Sequence, residues 1–318
     1  MSAKKKISVA TGCYNEEGNL QEFYDRLIAV FKQIPQYDYE IIIADNRSTD
    51  GSRAILRQLA NQDKKVKILL NSNNFGQVNS AYNGFLLADG DAVIPMCSDL
   101  EDPPEVILDL IREWENGSNV VVAVKRSTRE NPFISNCRKV YYRLLSFISD
   151  SSEVIKDFTG FGLYDRKFMD ALKLYKDPCP YFRGLVTEIG YSRTTVLFDK
   201  PKRKQGETKN NFFTLYDLAM TGFVNHSKLP LRLAVFCGFC LAGLSLLVAL
   251  GYLIYKLVYW DTFTLGLAPL VIGLFFFSAV QLVFIGIIGE YIGAIYTQVK
   301  NKPLAIVEEK LNFDDDTE

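Results

Sequence analysis

Ile7-Ser8-Val9-Ala10-Thr11-Gly12-Cys13-Tyr14-Asn15-Glu16-Glu17 decides the fold. Residues 7–11 form a short apolar run of the kind that makes a strand buried on both faces. The run breaks into a polar cluster, Cys13 to Glu17, and the period then changes. Leu20, Phe23, Tyr24, Leu27, Ile28, Phe31 and Ile34 recur at helical spacing until Pro35 stops the helix. The alternation continues through residue 124. Residues 39–44, 66–70, 92–96 and 119–124 read as strands, and residues 52–61 and 77–88 as helices. Asp102, followed by Pro103 and Pro104, reads as the N-cap of a helix that runs to Gly117. Strands separated by helices imply an α/β domain with a mostly parallel sheet covered on both faces. Ligands of such sheets bind beyond the carboxyl ends of the strands.

Three of those ends carry polar clusters. They are Cys13-Tyr14-Asn15-Glu16-Glu17, then Asp45-Asn46-Arg47-Ser48-Thr49-Asp50-Gly51, and Cys97-Ser98-Asp99-Leu100-Glu101-Asp102-Pro103-Pro104. Each alone has the composition of an ordinary turn. Together, on one edge of one sheet, they predict a ligand site.

The last hundred residues have a different character. Residues 233–255 and 262–289 are apolar runs without Asp, Glu, Lys or Arg, each long enough to cross a bilayer, which takes roughly 20 residues. The short connection at 256–261 predicts an antiparallel hairpin. Lys200, Lys202, Arg203, Lys204, Lys209, Lys228 and Arg232 precede the first run, and Lys300 and Lys302 follow the second. This bias places both termini and the large domain on the cytoplasmic side. Lys4-Lys5-Lys6 leads into a strand without a long apolar region, so no signal peptide is expected. The expected organisation is a domain at 1–210, a juxtamembrane amphipathic helix at 211–231, two spans at 232–299 and a cytoplasmic tail at 300–318. A further amphipathic helix, residues 133–148, fits the core or the membrane interface. Gln281, Glu290 and Tyr291 within or beside the second span suggest a partner helix or a homo-oligomer.

Composition narrows the chemistry. The chain has 318 residues and a net charge of −1, so bulk electrostatics give no reason to expect nucleic-acid binding. Its six cysteines lack paired metal spacing and suit a reducing compartment. A single histidine, His226, excludes a His-based triad or a His-rich metal site. The basic cluster at 200–209 fits either anionic headgroups or a phosphorylated substrate.

The three polar clusters resemble those of inverting, metal-dependent nucleotide-sugar glycosyltransferases with a Rossmann-like GT-A fold, family 2. Asn73-Asn74-Phe75-Gly76-Gln77, the 99–105 stretch, Gly206-Glu207-Thr208-Lys209 and the C-terminal hairpin narrow the resemblance to membrane-bound polyprenyl-phosphate glycosyltransferases. These include dolichyl-phosphate mannose synthase and bacterial undecaprenyl-phosphate glucosyltransferases, so a bacterial plasma membrane location is implied. The resemblance covers nearly the whole chain. It implies that Glu16 accepts from the ribose hydroxyls and Asp45 from the base, both as acceptor-only carboxylates. Tyr14, Asn15, Asn73, Gly76 and Ser98 join them in the nucleotide site. Asp99 and Glu101 would hold Mg²⁺ or Mn²⁺, on the same side of the segment if it is extended. The family's first metal-motif aspartate is Cys97 here, and a thiolate suits Mg²⁺ poorly. The family's Asp-Asp-Gly-Ser is Asp45-Asn46-Arg47-Ser48, a second departure.

The implied reaction transfers one hexose from a nucleotide sugar, UDP-glucose on the nearest resemblance, to undecaprenyl phosphate with inversion. The second pKa of a phosphate monoester is about 6, so the acceptor is ionised at neutral pH and no strong base is needed. Arg126, Arg129, Arg138, Arg203 and Lys209 are the candidates to hold the lipid phosphate, with Arg203 and Lys209 also catalytic. Asp157 orients sugar or acceptor, or acts as a base. GDP-mannose is the alternative donor. A processive polysaccharide synthase would carry a Gln-x-x-Arg-Trp motif, which is missing, and a non-catalytic scaffold or flippase partner is the competing class.

Overall fold

The structure is a computed structural model that describes residues 4–126, 155, 158–175, 181–199, 201, 229–259 and 267–313. Among the described residues a single sheet of eight strands is formed. The strands are β1 (Lys6–Cys13), β2 (Asp38–Asp45), β3 (Val66–Asn71), β4 (Ala92–Pro95), β5 (Val120–Lys125), β6 (Phe158–Asp165), β7 (Arg193–Phe198) and β8 (Val307–Leu311). Their spatial order is β7-β5-β6-β4-β1-β2-β3-β8. The first five strands match the sequence reading to within two residues at each end. The expected Rossmann-like α/β fold is present, but the sheet is mixed. β6 runs antiparallel to β4 and β5, and β8 antiparallel to β3. β1 to β5 and β7 therefore all point the same way.

Alternation along each strand feeds two cores. Ile41, Ile43, Ile7 and Val9 face one side with α1 (Leu20–Phe31), α2 (Ser52–Gln62) and α4 (Ile107–Glu115). Ile42, Ala44, Ala10 and Val93 face the other with α3 (Gln77–Leu86), α5 (Arg166–Lys173) and α6 (Phe182–Glu188). Coverage of both faces is what makes these strands continuously apolar. Gly12 lets α3 pack close to β1: a Cβ there would lie 3.0 Å from the Cβ of Ala81 on α3.

Two sequence expectations change. Asp102 does not cap α4. A 3₁₀ turn, Pro104–Val106, precedes that helix, and its N-cap, Pro103, makes no side-chain cap bond. Pro103 and Pro104 have no N–H to offer, so the Asp102 carboxylate turns back and accepts from the Cys97 backbone N–H at 3.1 Å. The region taken as a tail, 300–318, contains β8. Ile68 pairs with Leu311 and Leu70 with Glu309. Asn312 ends the strand at a φ of 59° and donates through Nδ2 to the carbonyls of Ala60, at 2.6 Å, and Val66, at 2.8 Å.

Two further helices are long, α7 (Leu229–Val258) and α8 (Leu267–Lys300). Within α8, Gly273–Lys300 has a mean hydropathy of 1.9, and among the described residues it is the one helix long and apolar enough to cross a membrane. Ala234–Ser245 in α7 is a shorter apolar stretch. Large apolar side chains along both helices, such as Phe239, Leu247, Phe275 and Leu282, are exposed. Tyr296 and Lys300 lie together at the end of α8. The helix expected at 133–148 and residues 211–228 of the juxtamembrane helix lie outside the described residues, as do the acidic residues 314–318.

Asn312→Ala leaves the Ala60 and Val66 carbonyls without their donor. It should lower stability by about 1–3 kcal/mol, read as a shifted chemical-denaturation midpoint.

Candidate functional site

The polar clusters meet at the carboxyl edge of the sheet. Cys13 and Asp45 are register partners, so the loops after β1 and β2 leave side by side. Asn15 takes a φ of 57°, a left-handed conformation that Asn tolerates better than most residues. This turn aims its N–H at Ser48 Oγ, 2.9 Å away, while its Oδ1 accepts from Thr49 N at 2.8 Å. Ser52 Oγ accepts from Glu16 N at 2.9 Å, and Glu17 accepts from Gly51 N at 2.7 Å. Residues 15–17 and 48–52 are thus laced together. Tyr14, Asn15 and Glu16 are left half-buried. Asn19 Nδ2 donates to Glu16 Oε2 at 2.6 Å and fixes that carboxylate.

Asp45 sits deeper, at 0% exposure. Both its oxygens face the Ser48 N–H at 3.2 Å, and Oδ2 also accepts from Arg53 Nε at 2.6 Å. Arg53 continues to the Asn71 carbonyl at the end of β3, 2.6 Å away, and to Glu308 on β8 at 3.5 Å. The next loop is tied in by amides. Asn46 Nδ2 donates to Asn74 Oδ1 at 2.7 Å, and Asn46 Oδ1 accepts from Phe75 N at 2.8 Å. Asn73 and Gly76 are exposed beside them, Gly76 at a φ of 92°.

The acidic stretch after β4 is a turn, so the condition under which Asp99 and Glu101 would share one side, an extended segment, is not met. Leu100 buries its side chain and takes a φ of 61° to do so. Asp99 Oδ1 accepts from Glu101 N at 3.1 Å, and Ser98 Oγ donates to the Gly12 carbonyl at 3.0 Å. Asp99 and Glu101 remain half-buried and one residue apart. Their hard oxygen donors fit Mg²⁺ or Mn²⁺. Among the described residues no group of three or more His, Cys, Asp or Glu is assembled for a metal, so any further ligands would have to come from substrate oxygens or water. Cys97 is exposed. Burial pushes the Asp102 carboxyl up to about 6, against the lowering effects of the Cys97 N–H and the Lys125 charge.

Arg126 stands at the same edge, just after β5, with its guanidinium 3.6 Å from Asp199. Both side chains are mostly exposed, so the pair is weak. Asp157, Arg129, Arg138, Arg203 and Lys209 lie outside the described residues. β6 begins at this edge with Phe158, and Asp157 directly precedes it in the sequence. Arg53, Lys125 and Glu308 were missed by the sequence reading. Lys125 had one available signal, its place at the carboxyl end of β5, whereas Arg53, on α2, had none.

The Glycosyl transferase family 2 model matches residues 8–172 of this chain. YkcC, an uncharacterized glycosyltransferase of Bacillus subtilis, is 36% identical over 315 residues, covering 99% of this chain and 97% of that one. The SfII prophage-derived bactoprenol glucosyl transferase of Shigella flexneri is 32% identical over 305 residues, covering 95% of this chain and 97% of its own. Among solved structures, the mannosyltransferase PcManGT from Pyrobaculum calidifontis, in complex with GDP-Man and Mn²⁺, is 15% identical. That match covers 94% of this chain and 88% of the other, with a TM-score of 0.44.

Asp102→Ala removes the acceptor for the Cys97 N–H and should destabilise the protein by about 1–3 kcal/mol. Asp102→Asn keeps an acceptor and should retain most of that stability. Denaturation midpoints of the two variants distinguish the cases.

Proposed function

The chain belongs to glycosyl transferase family 2, and from that premise we propose that it moves a single glucose from UDP-glucose to polyprenyl phosphate at the cytoplasmic face of a bacterial plasma membrane. The observation that carries this reading is where the chain that follows α8 rejoins the sheet. β7 and β8 are the outermost strands on opposite sides. The chain leaves β7 for α7, and returns from α8 into β8, at the carboxyl edge in both cases. Residues 301–306 are all that separate α8 from β8, a reach of about 20–25 Å even when extended. With α7 and α8 spanning the bilayer as a hairpin, the polar edge is held close to the headgroups. A water-soluble donor and a lipid acceptor can then meet there. Near-full-length similarity to a bactoprenol glucosyl transferase supports the same acceptor class.

In this reading the laced loops at 13–17 and 45–52 hold the nucleoside, with Tyr14, Asn15 and Glu16 lining it, the buried Asp45 beneath them, and Asn73, Gly76 and Ser98 beside it. Asp99 and Glu101 would hold a divalent cation, Mg²⁺ or Mn²⁺. When bound, the ion would neutralise charge on the diphosphate that departs. Arg126, with Arg129, Arg138, Arg203 and Lys209, would bring the lipid phosphate up to the sugar. An acceptor oxygen that is already ionised attacks the anomeric carbon as the bond to the nucleoside diphosphate breaks. Orientation of the two anions then dominates over proton removal. Asp157 orients the sugar or the acceptor.

Purified protein should release UDP from UDP-glucose only when polyprenyl phosphate and a divalent metal are both supplied. Absence of turnover with every nucleotide sugar would turn the reading toward a scaffold. GDP release from GDP-mannose would replace the donor.

Asp99→Asn and Glu101→Gln should each cut turnover by about 100-fold or more, the cost expected when charge stabilisation of the leaving group is lost. Steady-state kinetics at saturating donor provide the check.

Asp157→Asn should lower turnover and leave UDP affinity within about twofold, since uniform binding is untouched. Titration calorimetry alongside kinetics separates the two effects.

A further inference from the structure

Arg53 touches three strand ends at this edge. Its Nε donates to Asp45 at the end of β2, its Nη2 to the Asn71 carbonyl at the end of β3, and its Nη1 lies 3.5 Å from Glu308 on β8. The guanidinium is planar and its donors point in fixed directions, so fixing any two contacts fixes the third. Asp45 is fully buried, while the Glu308 side chain is 60% exposed. The ion pair therefore runs from a buried carboxylate to a surface one, and the surface one is carried by the strand that follows α8. β8 is itself anchored on α2, by the Arg57–Glu309 pair and by Asn312 on the Ala60 carbonyl.

We infer that Arg53 and Glu308 are positioning residues for donor binding. Glu308 sets the guanidinium, and the guanidinium sets the Asp45 carboxylate and the ends of β2 and β3 on which the nucleoside rests. The strand returning from the long helices is in this way a working part of the nucleotide site. This inference rests on the reading above that the edge around Asp45 binds the donor nucleotide.

The test uses the full-length protein in detergent or nanodiscs, with UDP-glucose and polyprenyl phosphate. Arg53→Lys keeps a positive charge but cannot reach Asp45, Asn71 and Glu308 together. It should raise the donor KM about tenfold or more, as expected from the loss of charge-assisted bonds. The acceptor KM should be unchanged and kcat should change less than the donor KM. Glu308→Gln, at an exposed site where folding is not at risk, should raise the donor KM about two- to fivefold, the range of an exposed ion pair. In the Arg53→Lys background Glu308→Gln should add nothing further, because its effect passes through Arg53. Full additivity of the two substitutions overturns the inference. So does a lowered melting temperature in both variants with an unchanged donor KM. Asp45→Asn separates the layers. If it raises the donor KM while Arg53→Lys and Glu308→Gln do not, the inference fails and the nucleotide reading stands. If Asp45→Asn leaves the donor KM unchanged, both fail.

Discussion

One constraint organises the molecule: β1 to β5 and β7 run in the same direction. A parallel strand needs a crossover, and the crossover helices must lie on the faces of the sheet. The strand ends are thereby freed from packing duties, and the polar residues that follow them collect on one edge. The same rule decides where the outer strands end. β7 leaves, and β8 enters, at that edge because one is parallel and the other antiparallel to its neighbour. The polar site and the strand that follows α8 are neighbours for a topological reason.

The site is stiffened by local hydrogen bonding. Asn15, Arg47 and Leu100 hold left-handed backbone conformations. Such conformations persist only where their surroundings over-determine them, and they cluster at functional sites. Here the surroundings are specific. Ser48 and Thr49 hold Asn15, the burial of Leu100 holds the turn that carries Asp99 and Glu101, and Arg47 reaches the Ser72 carbonyl. Asp45 and Arg53 form the most buried pair of the set. Removing one partner of such a pair typically costs about 3–5 kcal/mol, because a charge is left in the interior.

Much of this was legible in the sequence because it depends on short-range pattern. The strands at 38–45 and 66–71 are buried on both faces, so their apolar runs are continuous and their ends are marked by the first polar residue. The clusters after β1, β2 and β4 were found by that rule. What escaped has a common cause in long-range geometry. Val307-Glu308-Glu309-Lys310-Leu311 has too little apolar content to signal a strand, and it becomes one only because β3 offers an unpaired edge. Arg53 reads as an ordinary helix residue until Asp45, Asn71 and Glu308 converge on it. Asp102 looked like a cap, and the two prolines that strengthened that look also removed the N–H groups it would have capped. The acidic turn was not foreseen because nothing in the sequence announces that Leu100 must bury itself.

The central claim is that the carboxyl edge of the sheet faces the bilayer, so that a donor from water and an acceptor from lipid meet over Asp99 and Glu101. Depth measurement tests it directly. A nitroxide placed by Asn73→Cys, at the carboxyl edge, is compared with one placed by Lys64→Cys, at the opposite edge before β3, in nanodiscs carrying a nickel-chelating lipid. Stronger relaxation enhancement at position 73 than at position 64 is the predicted result. Equal enhancement, or the reverse order, would contradict it.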